Sequence, residues 1–216
     1  MSEVARVSKS VRMAHLLGEL RREMNGAVVG SMRYYGGEYG LNYGVSIPTI
    51  RSLGRAESED HAFARYLYQQ EVRELKLVSL WIASPEMVGA ELDFWSRGIV
   101  NSEIAEEAAF VLMGRVDGVE SWLESGSELL QYCAVLALAS HKVVSVKSIA
   151  PQLISLLKDD PHLLPKAVVS LLDCALRGEQ SRQEVVEFMA MVESQLSSDL
   201  KSVKYICEEM AWRLEL

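Results

Sequence analysis

The chain has 216 residues, of which 49% are hydrophobic and 24% charged, and its formal net charge is −8. That balance excludes intrinsic disorder, and a chain of this length buries a core without disulfides or metals; three cysteines are in any case an odd number and make no disulfide framework. The longest apolar run, Cys133 to Ala139, is far short of the roughly 20 residues of a membrane span, and Arg6, Lys9 and Arg12 are followed by no continuous apolar core of a secretory leader, so a cytoplasmic protein without membrane association is expected.

The pattern predicts helices almost throughout. Residues 10–24 form an amphipathic helix with Val11, Leu16, Leu17 and Leu20 on its apolar stripe, stopped by Asn25-Gly26. Tyrosine and glycine then mix over Tyr34 to Gly44, a segment too rich in glycine for a helix. Its four tyrosines suit either stacking on bases and sugars or a packed lid over the open end of a helical array. Ser46 caps a short helix from Ile47 to Leu53 with Pro48 in its first turn. From there helices are predicted near 60–69, 71–83, 85–96, 102–115, 118–124, 127–140, 146–158, 162–177, 182–196 and 199–214, separated by Gly98, Gly118, Gly126 and Gly178. Pro151 and Pro165 lie about one turn inside their predicted helices. No segment has the alternation of a strand.

Apolar helix cores recur at Leu77–Ile82, Ala108–Leu112, Ala134–Leu138 and Val168–Leu172, with spacings of 31, 26 and 34 residues between their starts. Helices apolar nearly all round are sandwiched between neighbours. Such a recurrence points to an all-α, right-handed α-α superhelix of the armadillo/HEAT-like kind, with a non-repeating bundle as the competitor. The expected organisation is one α-solenoid domain over 1–216, in which 1–55 provide an N-terminal helix and the Tyr/Gly-rich lead-in and 60–216 the helix pairs.

Charge is distributed unevenly along this plan. Residues 1–55 carry eight basic and four acidic side chains, residues 56–140 five and fifteen, and residues 141–216 nine and eleven. The first segment is therefore the natural place for phosphate contacts, and Arg51 and Arg55, one turn apart, are the candidates. Cys133, Cys174 and Cys207 all fall in apolar helical contexts and are expected buried and unpaired. Trp81, Trp122 and Trp212 are expected in the core. His15, His61, His141 and His162 have no partners at ligand spacing, so no metal site is expected. No phosphate-binding glycine loop, dinucleotide fingerprint or nucleophile elbow is present, and no small-molecule cofactor is expected.

Several segments resemble the HEAT-like-repeat DNA alkylation repair family, the AlkD type of bacterial alkylpurine DNA glycosylase. Tyr43-Gly44-Val45-Ser46-Ile47-Pro48-Thr49-Ile50-Arg51 is similar to its "G-V-x-x-P-x-x-R" segment. Gln70-Glu71-Val72-Arg73 falls at the start of its "H-E-x-R" helix. Lys166 to Arg177 resembles "K-A-I-G-W-x-L-R", and Glu184 to Phe188 the "V-x-x-F" that follows. The resemblance covers roughly residues 30–214. It implies an enzyme that hydrolyses the N-glycosidic bond of cationic N3- and N7-alkylpurines in duplex DNA held by its backbone. A carboxylate then stabilises the oxocarbenium-like sugar, while an aromatic face and arginines position the strand.

At the catalytic positions the chain departs from that pattern. The family's "N-W-x-x-x-D" aligns with Asn101-Ser102-Glu103-Ile104-Ala105-Glu106, which keeps the asparagine, replaces tryptophan by Ser102 and makes Glu106 the candidate catalytic carboxylate. Its paired arginines align with Gln131 and Tyr132. Trp95 is the candidate substitute aromatic. Glu103, Glu106 and Glu107 otherwise read as a solvated first helical turn. Tyr43 and Asn101 join Arg51 and Arg55 as candidate DNA contacts. Two functions stay open: an alkylation-repair protein, as glycosylase or damaged-DNA binder, and a noncatalytic HEAT-like module for a protein partner.

Overall fold

The computed structural model describes residues 8–34, 39–140, 145–177 and 179–215. Among them the elements are α1 (Lys9–Arg22), α2 (Gly26–Tyr34), α3 (Ile47–Ala56), α4 (His61–Tyr68), α5 (Arg73–Ile82), α6 (Pro85–Val88), α7 (Leu92–Ser96), α8 (Ser102–Val111), α9 (Glu128–Ser140), α10 (Val146–Leu157), α11 (Leu164–Leu176), α12 (Glu179–Gln195) and α13 (Lys201–Glu215). Three 3-10 turns lie at Gly89–Glu91, Met113–Arg115 and Val119–Glu124. The described residues form no strand; one isolated parallel bridge joins Leu41 to Val72. The all-helical expectation holds. The chain forms two compact units, Met1–Glu107 and Ala108–Leu216.

In the first unit α5 is the central element. Every residue from Arg73 to Leu80 is buried, and both α3 and α4 pack on it. Asp60 caps α4, accepting from the Phe63 amide at 3.0 Å. α1 packs on α4, where Arg12 bonds Glu57 at 2.8 Å and Asp60 at 2.5 Å and lies 3.9 Å over the Phe63 ring. Its buried face is narrower than the predicted stripe: Leu16 and Leu20 are buried, while Val11 is exposed. α2 is absent from the sequence reading. The Asn25 side chain, read as a stop signal, also starts α2 by accepting from the Ala27 and Val28 amides, each at 3.2 Å.

In the second unit α9, α11 and α13 pack in succession, and α10 packs on α12. Contact between alternate helices produces two rows, the local geometry of stacked helix pairs. The predicted helix 85–96 is broken into α6, a 3-10 turn and α7 at Gly89. Residues 102–115 end their α-helix at Val111, where Arg115 takes the Val111 carbonyl at 2.7 Å. The segment 118–124 is 3-10 rather than α. Pro151 sits inside α10 on an exposed face without ending it, and Pro165 lies in the first turn of α11.

Two expectations about the core are corrected. Cys133 is buried, but Cys174 is exposed and Cys207 half-buried. Cys174 falls in the last turn of α11 on the same exposed stripe as Lys166, Ser170 and Arg177, so its thiol faces solvent although its sequence neighbours are apolar. Trp122 is buried, Trp81 half-buried, and Trp212 exposed near the end of α13 under the Arg213 guanidinium, 4.2 Å from the ring centre.

Candidate functional site

The segment before α3 runs alongside the start of α5. Leu41 donates to the Glu71 carbonyl at 2.8 Å and accepts from the Arg73 amide at 2.9 Å. Gly44 takes φ +69, and a Cβ there would stand 2.3 Å from the Asn25 carbonyl oxygen, so glycine is the residue this turn accepts. The turn presents the Tyr43 and Val45 amides to the buried Glu74 carboxylate at 3.1 and 3.3 Å.

Glu74 begins a chain of buried charges. Arg73 is 1% exposed. Its Nη1 donates to Glu74 and to the Val45 carbonyl, each at 2.9 Å, and its Nε and Nη2 to Glu103 at 2.7 and 2.5 Å. Burial alone would lower the Arg73 pKa; the Glu103 and Glu74 carboxylates outweigh it and raise it. Tyr39 donates its hydroxyl to Glu103 and lies 3.2 Å from Asn101 Oδ1. Burial, reinforced by Glu103, pushes this phenol well above its ordinary range. Asn101 Oδ1 also accepts from the Ile104 amide at 3.0 Å, which caps α8. A cleft of about 410 Å³ opens beside this network, lined by Arg73, Glu103, Asn25, Val45, Ser46 and Thr49 among others.

One turn along α8 a second group forms between α3, α5 and the same helix. Glu107 is 4% exposed. It receives Arg51 through Nε at 3.0 Å and Nη2 at 2.8 Å, and the Trp81 indole N–H at 3.0 Å. Gly54 allows the approach of α3: a Cβ there would stand 2.5 Å from Trp81 Cβ. Arg55, exposed on the same helix, lays its guanidinium 4.5 Å over the Trp81 ring.

The predicted site residues therefore have distinct settings. Arg51 is held by Glu107, while Arg55 is exposed and supported by an aromatic face. Tyr43 is buried, contributing its backbone amide, and Asn101 is a helix cap. Of the three glutamates read as one solvated turn, Glu103 holds the buried Arg73, Glu107 holds Arg51 and the half-buried Trp81, and Glu106 is exposed. Trp95, the candidate substitute aromatic, is fully buried against Tyr68, with ring centres 4.6 Å apart. Gln131 bonds the Ser125 carbonyl, and Tyr132 is buried. Tyr34 is exposed; Tyr35 lies outside the described residues, as does His141. Sequence reasoning missed Arg73, Glu74 and Glu103 as a linked set and Glu107 as the buried acceptor of Arg51 and Trp81. The available signal was charge inside otherwise apolar helix cores.

Among the described residues no group of three or more His, Cys, Asp or Glu side chains could hold a metal ion, and no helix is long and apolar enough to cross a membrane.

No family model matches this chain, and no curated protein matches it. A solved structure described as "A new family of proteins related to the HEAT-like repeat DNA glycosylases with affinity for branched DNA structures" is similar, with a TM-score of 0.70 and 15% identity over 93% of this chain and 94% of that one. At that identity the likeness speaks for architecture, and the fold of this chain is that of a HEAT-like repeat protein.

Proposed function

We propose that this chain binds DNA through the sugar-phosphate backbone and favours branched over linear duplex. The observation that carries the reading is the likeness, over 93% of the chain, to a protein related to the HEAT-like repeat DNA glycosylases with affinity for branched DNA structures. Arg55 adds a local reason. Its guanidinium is exposed, lies on the Trp81 face and has no carboxylate within 4 Å among the described residues. A planar cation fixed on one side and open on the other suits a phosphate. Arg51 is committed to Glu107, so the phosphate contact in the first unit rests chiefly on Arg55. Asn101 and Tyr43 act in this reading through the backbone they organise.

The catalytic part of the reading is narrower. Glu106 is the carboxylate at the family position, yet it is exposed, and water weakens the stabilisation a charge gives to a developing cation. Removal of N3- or N7-alkylpurines from alkylated duplex is therefore a weak accessory activity at most.

Fluorescence anisotropy with a labelled four-way junction and a linear duplex of the same composition tests the proposal. The junction is expected to bind more tightly, with affinity falling steeply as salt rises. Equal binding of the two forms removes the preference for branches. No binding of either at low salt removes DNA and favours the protein-partner reading, which the excess of acidic residues over 56–140 supports.

A further inference from the structure

The described cations separate into those committed to carboxylates and those left open. In the first unit Arg12 is held by Glu57 and Asp60, Arg51 by Glu107, Arg65 by Glu91, Arg73 by Glu74 and Glu103, and Lys76 by Glu71. In the second unit Arg177 and Arg213 reach Asp173, Arg115 takes the Val111 carbonyl, and Arg182 the Leu214 carbonyl. The lysines of that unit differ. Among the described residues none of Lys147, Lys158, Lys166, Lys201 and Lys204 has a carboxylate oxygen within 4 Å of its ammonium group.

Two of these open lysines share a cavity. Lys166 of α11 and Lys201 of α13 line a cleft of about 350 Å³ with Asp160, Pro161, His162, Pro165, Ser202 and Tyr205. Both lysines are exposed, and the Tyr205 ring is more than one-third exposed. We propose that this cleft holds a backbone phosphate of bound DNA, with Lys166 and Lys201 as its two cationic ligands and Tyr205 flanking the sugar. The proposal rests on the DNA-binding reading above and names where the second unit contributes.

The helix ends nearby do not carry the argument, because they are already satisfied. Glu128 accepts from the Leu163 and Leu164 amides at the start of α11, and Asp160 accepts from the Ser202 amide at 2.8 Å at the start of α13. Asp160 is thus the one acid of the lining and is occupied by a backbone donor. What remains open is a pair of ammonium groups from different helices, each with three donors and no carboxylate oxygen within 4 Å among the described residues, Lys201 acting on Asp160 only at longer range. A phosphate in the cleft is attracted by both ammonium groups, which line the same cavity. Lysine accepts a phosphate in many orientations, which suits binding indifferent to sequence. The prolines and the tyrosine ring supply an apolar wall for deoxyribose.

The test uses the full chain, labelled junction and duplex DNA, and a salt series. Lys166→Gln with Lys201→Gln is compared with Lys147→Gln and Lys158→Gln, a pair of equal charge in the same unit that does not line the cleft. The cleft pair is expected to lower the slope of log K against log salt by about one unit, since the single phosphate neutralised there contributes about 0.9. The off-cleft pair should leave it nearly unchanged, and Lys166→Arg with Lys201→Arg should retain it. A slope unchanged by the cleft pair, while the natural chain still binds, overturns the site and leaves the DNA reading intact. An equal fall with the off-cleft pair overturns it too, because the effect is then general charge. Failure of the natural chain to bind DNA overturns both. Binding of inorganic phosphate that the cleft pair abolishes, with DNA affinity and salt slope left unchanged by that pair, assigns the cleft to free phosphate and overturns its assignment to DNA.

Discussion

Three glutamates within five residues of α8 differ only in the side of the helix each occupies, and that difference decides their cost of removal. Glu107 and Glu103 hold Arg51 and the nearly inaccessible Arg73, whereas Glu106 faces water. Removing one member of a buried ion pair leaves a charge that the interior cannot solvate. Arg73→Ala is therefore expected to destabilise the protein by about 3–5 kcal/mol, read as a shifted urea midpoint, while Glu106→Gln, at an exposed position, should cost clearly less. Equal effects would mean that the two positions share one environment. The cysteines offer a second residue-scale check. Cys174 should react rapidly with a thiol reagent under native conditions, and Cys133, whose thiol is pushed up by burial, should not. Periodicity places all these residues on helices, but an apolar run does not say which of its positions faces solvent: Cys174 shares the exposed stripe of Lys166, Ser170 and Arg177, and Trp212 that of Tyr205 and Glu208. Nor does it tell a buried acid from a solvated one when each stands one turn from the other.

Helices were legible because their apolar faces and stop signals are local. Seven of the predicted segments, from 60–69 through 199–214, contain one α-helix each with ends close to those observed. What was not legible depends on single hydrogen bonds: the Asn25 cap that starts α2 and the Arg115 side chain that closes α8. Close approach between elements is equally invisible until both partners are known. Gly54→Ala should therefore cost about 1–3 kcal/mol, because the new methyl meets Trp81 and α3 must move away from α5. The caps also set an acid limit. Burial tends to raise the Asp60 carboxyl, but the Phe63 amide and Arg12 outweigh it and hold it below its ordinary range. The Ser145 hydroxyl and the Lys147 amide lower Glu184 in the same sense. A carboxylate depressed on folding contributes stability that is complete above its unfolded pKa, about 4, and is lost as pH falls through the folded value. Melting temperature is therefore expected to fall below about pH 4, and Asp60→Asn should flatten that decline.

At the scale of the whole chain, the fold likeness and the chemistry separate. The likeness runs over 93% of the sequence at 15% identity, so architecture persists where few side chains do. Packing tolerates exchange of apolar residues of similar volume, whereas a reacting site depends on particular groups. Ser102 offers no aromatic face, Gln131 is tied to a backbone carbonyl, and Tyr132 is buried in place of a phosphate clamp. Loss of one electrostatic stabiliser commonly lowers a rate by about 10²–10³, and here more than one is missing. Release of N3-methyladenine or N7-methylguanine from alkylated duplex is expected to be absent or close to the uncatalysed rate, even at protein concentrations that saturate the DNA. Chromatography of released bases, run with the natural chain and with Glu106→Gln, checks this. Efficient release abolished by Glu106→Gln would make that exposed carboxylate catalytic and would require bound DNA to exclude water from it. Efficient release indifferent to the substitution would place the chemistry on another carboxylate, with Glu103 beside its 410 Å³ cleft the first to examine.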